Sequence, residues 1–311
     1  MRAIACFTAV AIGAVGASPA WATFPGRNGR IVFELVKNNG ADRDRPCTTP
    51  SCYERVLGAV DPRTGRKLRF NPCTNPIECN DVTPSFSPDG SRIAFGRYEY
   101  SQPPPPETSA SPDRFQVAVT GVSGRSVDVL AEPAFDPAWS PNGRWLAVAR
   151  SDSIQLIHPD GARGRRTLDL SGGSLDWSSS GRLAIVRSVG RRPDIYTVNP
   201  DGSGLKRVTA GGNAHDPSWA PDGRSLAFTH VVRDSRDRIV LIEVVAIGPN
   251  GHRRVLVRHA QNPVWSPDGK QLAFARLTGI WVMRLRDRAT RRLLGVGEHD
   301  GYASLTWRPL R

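Results

Sequence analysis

Arginine recurs in this chain at places where charge-based chemistry is possible. Arg97, Arg150, Arg187 and Arg276, with His230 in the same series, each stand two residues after an apolar-Ala-apolar triplet. A second series, Thr83, Asp136, Ser174, Asp216, Asn262 and Ser304, stands three residues before a recurring aromatic. Guanidinium forks beside hydroxyl, amide and carboxyl groups suit the holding of an anionic group or a partner's peptide. The same side chains can also satisfy one another, Asp136 with Arg150 and Asp216 with His230 across a hairpin. That assignment leaves Arg97, Arg187 and Arg276, facing Thr83, Ser174 and Asn262, as the arginines for an external ligand. Acids such as Asp81, Glu132, Glu298 and Asp300 bear on the sign of the surface around them. No Gly-x-Ser-x-Gly elbow and no His-Glu-x-x-His zinc motif is present.

Cysteine is the other reactive side chain. Cys6 lies in an apolar leader, and Cys47, Cys52, Cys73 and Cys79 cluster within some thirty residues. Their spacings of five and six are looser than the usual pairs of a zinc site, so two disulfides are favoured over metal. The order of the surrounding strands favours Cys52–Cys73 with Cys47–Cys79, local pairs being the alternative.

The elements that position these groups come from a repeat. Phe86-Ser-Pro-Asp-Gly90, Trp139-Ser-Pro-Asn-Gly143, Trp177-Ser-Ser-Ser-Gly181, Trp219-Ala-Pro-Asp-Gly223 and Trp265-Ser-Pro-Asp-Gly269 are each followed by an apolar-Ala-apolar triplet, and a bare Trp307-Arg-Pro309 ends the series. Pro-Asp-Gly reverses the chain, because Pro fixes φ, Asp accepts hydrogen bonds within the turn and Gly takes positive φ. Asp89, Asp222 and Asp268 are therefore read as structural. The triplet alternates with period two, as a strand does, and its fixed Ala predicts close approach of a neighbouring sheet. A second turn, such as Asn199-Pro-Asp-Gly202, completes two hairpins per unit. Four-stranded units 38 to 53 residues apart predict an all-β fold, a β-propeller. Gly29-Arg-Ile-Val-Phe33 reads as a second strand without a first, and Ser304 to Pro309 as a first strand without a blade. Six blades therefore close if the C-terminal strand completes blade 1.

In such a blade the A–B and C–D turns share one face, and the B–C and D–A loops share the other. The unusual segments, 36–52, 71–83, 98–114 with Pro103 to Pro106, and 230–238, are all B–C or D–A loops. They gather on the face that carries both polar series, making that end of the channel the candidate binding site.

Residues 1–22 read as a signal peptide, with Arg2, an apolar stretch and Ala20-Trp-Ala22 as a cleavage site, leaving 23–311 as one propeller domain. No other apolar run is long enough to span a membrane. The net charge of +13 invites a nucleic-acid reading. The basic residues fall instead on the outer D strands, where charge keeps sheet edges from pairing with other sheets. No run of interleaved aromatics offers bases a stacking platform, so specific nucleic-acid binding is not expected.

Trp-Ser-Pro-Asp-Gly, a short gap and Ile/Leu-Ala-Phe resemble the propeller repeat of the TolB family over nearly all of 23–311. The resemblance is to the propeller, as a unit standing without the α/β domain that precedes it in TolB. A similar repeat occurs in propellers of prolyl-oligopeptidase-like hydrolases, so the resemblance implies a fold more than an activity. The expected protein is an exported monomer, periplasmic or extracellular, that binds or scaffolds an envelope or extracellular protein, or adheres to an anionic envelope polymer. The alternative is a hydrolase or lyase acting on a saccharide or lactone through the channel. No cofactor is implied, although six-bladed hydrolases sometimes hold calcium in the channel.

Overall fold

The computed structural model describes residues 24–38, 53–68, 70, 72–73, 79–100, 112–161, 164–190, 192–296 and 300–310. The leader 1–22, Cys47, Cys52, Glu298 and the Pro103–Pro106 tract lie outside these residues. The described residues contain strands and turns and no helix. Blade 1 holds β1 (Arg27–Asn38), β2 (Tyr53–Val60) and β3 (Lys67–Leu68). Blade 2 is β4 (Cys79–Phe86), β5 (Arg92–Glu99), β6 (Arg114–Gly121) and β7 (Val127–Ala131). Blade 3 is β8 (Phe135–Trp139), β9 (Leu146–Ala149), β10 (Ile154–Ile157) and β11 (Arg165–Leu168). Blade 4 is β12 (Gly173–Trp177), β13 (Leu183–Val189), β14 (Arg192–Val198) and β15 (Lys206–Arg207). Blade 5 is β16 (Ala214–Trp219), β17 (Leu226–Arg233), β18 (Ile239–Ile247) and β19 (Arg253–Arg258). Blade 6 is β20 (Gln261–Trp265), β21 (Gln271–Arg276), β22 (Gly279–Arg284) and β23 (Thr290–Gly295). The last strand, β24 (Gly301–Leu310), pairs antiparallel with β1 and becomes the innermost strand of blade 1.

Six sheets of four strands result. Each innermost strand touches that of the next blade, from β4 through β20 to β24 and back to β4, so the ring is closed. The closure expected from the sequence is the one observed. Asp268 N donates to Asn28 Oδ1 at 3.1 Å and Arg291 Nη2 to Pro62 O at 2.6 Å, which ties blade 6 to blade 1 on the turn face.

The core is a set of layers between blades. Ile93 and Phe95 face blade 1 in a layer with Val32 and Leu57, while Ala94 lies in the layer toward blade 3. The same division runs round the ring: Ala94 shares a layer with Trp139, Ala147 with Trp177, Ala184 with Trp219, Ala227 with Trp265 and Ala273 with Trp307. Alanine is kept because an indole from the next blade occupies the space above it. Trp139 Nε1 reaches across to Ser85 O at 3.1 Å and Trp265 Nε1 to Ser218 O at 3.2 Å, so the indole also satisfies a main-chain carbonyl of the preceding blade.

The turn aspartates are structural, as expected. Asp89 accepts from Ser91 N at 3.0 Å and from Ser87 Oγ at 2.5 Å. Partial burial opposes its ionisation, but these bonds outweigh it and pull the carboxyl down to about 2. The basic residues of the outer strands, among them Arg165, Arg166, Lys206, Arg253, Arg254, Arg291 and Arg292, are exposed.

The disulfide departs from the favoured pairing. Cys73 bonds Cys79, with Cα atoms 6.1 Å apart. The expected Cys52–Cys73 bond needed β3 to run the length of β2. Instead, among the described residues β3 pairs only Lys67 and Leu68, with Val60 and Ala59, and Phe70 is no longer strand, so the pairing ends before Cys73. The bond braces the D–A connection into β4 on the loop-bearing face.

Two outcomes follow from closure and bracing. Deleting residues 303–311 removes the inner strand of blade 1, and calorimetry should show loss of the single cooperative transition; a truncated protein that melts like the intact one contradicts the closure. Peptide mapping without reductant should recover Cys73 linked to Cys79, and a Cys52–Cys73 peptide would contradict the geometry.

Candidate functional site

One backbone feature is repeated in all six blades. Thr83, Asp136, Ser174, Asp216, Asn262 and Ser304 have φ of 58°, 49°, 47°, 49°, 51° and 47°, the left-handed region. At each the register between the first two strands slips, between Val82 and Ser85 in blade 2 for example. Each is thus the bent residue of a β-bulge on an innermost strand. Proline follows in four of the six, as Pro84, Pro137, Pro217 and Pro263, tolerated because the bulge needs no ladder donor there. Asn and Asp enter this conformation more readily than branched apolar residues. All six are buried, between 1% and 5% exposed, so the channel end is lined by a ring of buried polar groups.

Their hydrogen bonds run between blades as well as within them. Asp136 Oδ2 accepts from Ser174 N at 2.9 Å, and Thr229 Oγ1 accepts from Asn262 N at 2.9 Å. Thr83 Oγ1 accepts from Gly96 N at 3.2 Å within blade 2. Burial pushes Asp136 up to about 7, against the pull of the Ser174 amide, and Glu34 adds to the rise. Asp216 likewise rises to about 7 through burial, opposed by Thr229 and reinforced by Asp136 and Glu34. Glu34 of blade 1 thus bears on acids of blades 3 and 5, and among the described residues it is the one of the three with a cation beside it, Arg55 Nη1 at 2.6 Å. A fourth buried acid, Asp176, holds Trp219 N at 2.6 Å and is raised well above the usual range by burial.

The arginines are not partnered as the sequence suggested. Arg97, expected to face Thr83 and remain free, is bound by Asp81, with Nε to Oδ1 at 2.7 Å and Nη2 to Oδ2 at 2.9 Å. The bulge explains the change: it takes Thr83 and Pro84 out of register, so Asp81 falls opposite Arg97. Asp136 does not pair with Arg150, and Asp216 does not pair with His230, whose Nδ1 lies 3.3 Å from Glu243 Oε1. Continuing the same register, Ala134, Gly172 and Ala260 stand opposite Arg150, Arg187 and Arg276, where blade 2 has Asp81. A Cβ at Gly172 would lie 3.1 Å from Val186 O and 3.3 Å from Arg187 Cγ, so a side chain there would be tightly packed.

Consequently Arg150 Nε, Arg187 Nε and Arg276 Nε are buried and have no hydrogen-bond partner among the described residues. A buried donor left unmade costs about 1–3 kcal/mol. Arg187 lies over the Tyr196 ring at 5.5 Å, and Arg276 over Phe274 at 5.3 Å and Trp281 at 5.0 Å. Sequence reasoning placed the arginines at the ends of the second strands, where they are found, but missed Glu34 and Asp176 and treated Asp81 as a loop acid. Asp81 was findable only by counting the bulge. Among the described residues no three His, Cys, Asp or Glu side chains gather as a metal site would require.

No family model matches the chain. A stretch of 99 residues is 35% identical to a protein TolB homolog of Chlorobium luteolum, covering 30% of this chain and 22% of that relative's length. The crystal structure of TolB from Acinetobacter baumannii superposes on 92% of this chain and 68% of that one, with a TM-score of 0.67 and 18% identity. An oligogalacturonate lyase in complex with manganese superposes on 79% of this chain and 73% of that one, with a TM-score of 0.52 and 10% identity. The fold is a TolB-like β-propeller, with repeats of the TolB type.

The buried acids set a pH dependence. An acid whose pKa is higher folded than unfolded binds its proton more tightly in the native state, so its contribution is greatest below the unfolded value and is lost as pH rises toward the folded value. For Asp136 and Asp216 that window runs from the usual carboxylate range, 3.8, to about 7. Asp136→Asn and Asp216→Asn keep an acceptor and remove the charge, as Asn262 already does in blade 6. Each should raise stability at pH 8 by on the order of 2–4 kcal/mol and leave it little changed at pH 4. Urea denaturation at the two pH values checks this, and a variant less stable than the parent at pH 8 contradicts it.

Proposed function

On the basis of this TolB-like propeller, we propose an exported, monomeric binding or scaffold module of the cell envelope or extracellular space that captures a protein partner at the loop-bearing end of its channel. The observation that carries this reading is the set of buried, unpartnered Nε groups of Arg150, Arg187 and Arg276 on that face. A buried donor left unmade calls for a specific explanation, and an arriving ligand acceptor is the one this reading supplies. Export is supported by the reading of 1–22 as a signal peptide and by the Cys73–Cys79 bond, which persists in an oxidising compartment. No helix among the described residues is long and apolar enough to cross a membrane. The likeness to an oligogalacturonate lyase keeps saccharide chemistry in the channel as the alternative reading.

A photo-crosslinking residue at Ser188, on the B–C side of blade 4, reports one face, and the same residue at Asp201, on the C–D turn, reports the other. In a native envelope fraction the Ser188 probe should yield a discrete crosslinked protein that the Asp201 probe does not. Equal labelling from both faces would remove the mouth as the working surface. Turnover of an oligosaccharide by the purified protein would favour the alternative.

A further inference from the structure

We infer that the channel mouth recognises carboxylates, and that its ligand is an acidic peptide segment lying across blades 4, 5 and 6. This rests on the mouth being the working face. Blade 2 supplies the template: Asp81 takes the Nε and Nη2 edge of Arg97 side-on, at 2.7 and 2.9 Å. Blades 4 and 6 present the same arginine, as Arg187 and Arg276, at the same register position but with Gly172 and Ala260 in place of the acid. Within the fold each Nε finds no acceptor. A carboxylate arriving from solvent and drawing the guanidinium outward takes the part that Asp81 plays, and the side-on fork prefers a planar carboxylate to a point charge.

A peptide is favoured over an acidic polysaccharide by the apolar side chains exposed on the same side as the arginines. Val240, on the long hairpin of β17 and β18 in blade 5, is 56% exposed, and Leu277, next to Arg276, is 54% exposed. Both sit on the B–C side. Arg192 Nη2 to Asp237 Oδ1 at 2.6 Å ties that hairpin to blade 4. Two cationic forks and exposed apolar side chains on one side match an extended segment that carries both acids and apolar residues. A uronate polymer carries the acids without the apolar side chains. The net charge of +13 favours encounter with such a segment.

The test is selection of random dodecapeptides displayed on phage against the full chain, followed by affinity measurements on the synthetic winners. Winners should carry at least two Asp or Glu residues with apolar residues between them. Their affinity should fall about tenfold or more in Arg187→Gln with Arg276→Gln, and also in Arg187→Lys with Arg276→Lys, which keeps the charge and loses the fork. The Lys pair decides the matter if the Gln pair does not fold. Winners without acid enrichment, undiminished binding to the Lys pair, or displacement by hexagalacturonate at equal concentration would each overturn the inference. Hydrogen-exchange footprints separate the two levels. Protection on the B–C side with binding indifferent to the arginines defeats carboxylate recognition alone, whereas protection on the A–B turns defeats the mouth reading itself.

Discussion

The contact on which the molecule depends is the indole of one blade lying over the alanine of the blade before it. A four-stranded sheet of this size is marginal alone, and each blade here buries its apolar faces only against its neighbours. Trp139 and Trp307 are wholly buried, and loss of such a side chain costs about 3–5 kcal/mol. Because the layers are shared, no blade can be weakened without weakening two interfaces. Closure by β24 matters for the same reason: the layer holding Ile31, Phe33 and Trp307 against Ala273 and Val264 exists only when the last strand returns. Polar groups at the channel end thus inherit rigidity from the whole ring.

That rigidity is what lets six residues sit in a disfavoured backbone conformation. Each bulge bends an innermost strand and turns a polar side chain inward at the same height in every blade. Within this common frame the chain varies the chemistry: hydroxyl in blades 1, 2 and 4, carboxyl in 3 and 5, amide in 6. The acids sit at alternate blades rather than side by side, an arrangement that limits mutual repulsion while keeping them within electrostatic reach. One rung away the arginines follow a different logic, paired in blade 2 and unpaired in 3, 4 and 6.

Blade count, strand order, closure and the alanine rule were legible in the residues, because turn chemistry and period-two alternation are local and are written out repeatedly. The partners of Arg97, Arg150 and His230 were not, since a bulge changes which residue stands opposite which, and Thr83-Pro84 does not announce that it is one. The disulfide eluded the sequence for a related reason. Nothing in Lys67-Leu68-Arg69-Phe70 says that pairing stops after two residues, and the position of Cys73 depends on where it stops. Glu34 was hidden by occurring once, at a place where other blades carry Gly96, Ala149, Val186, Thr229 and Ala275.

The seam between β1 and β24 also has a mechanical meaning. Arg27 pairs with Leu310 at one end of the two strands, and Val36 with Gly301 at the other. Tension applied through residues flanking Arg27 and Leu310 therefore pulls the strands apart from the same end. The rungs are loaded one after another, as in a zipper, not all together in shear. A propeller held at both ends would yield first at this seam, blade 1 opening one rung at a time.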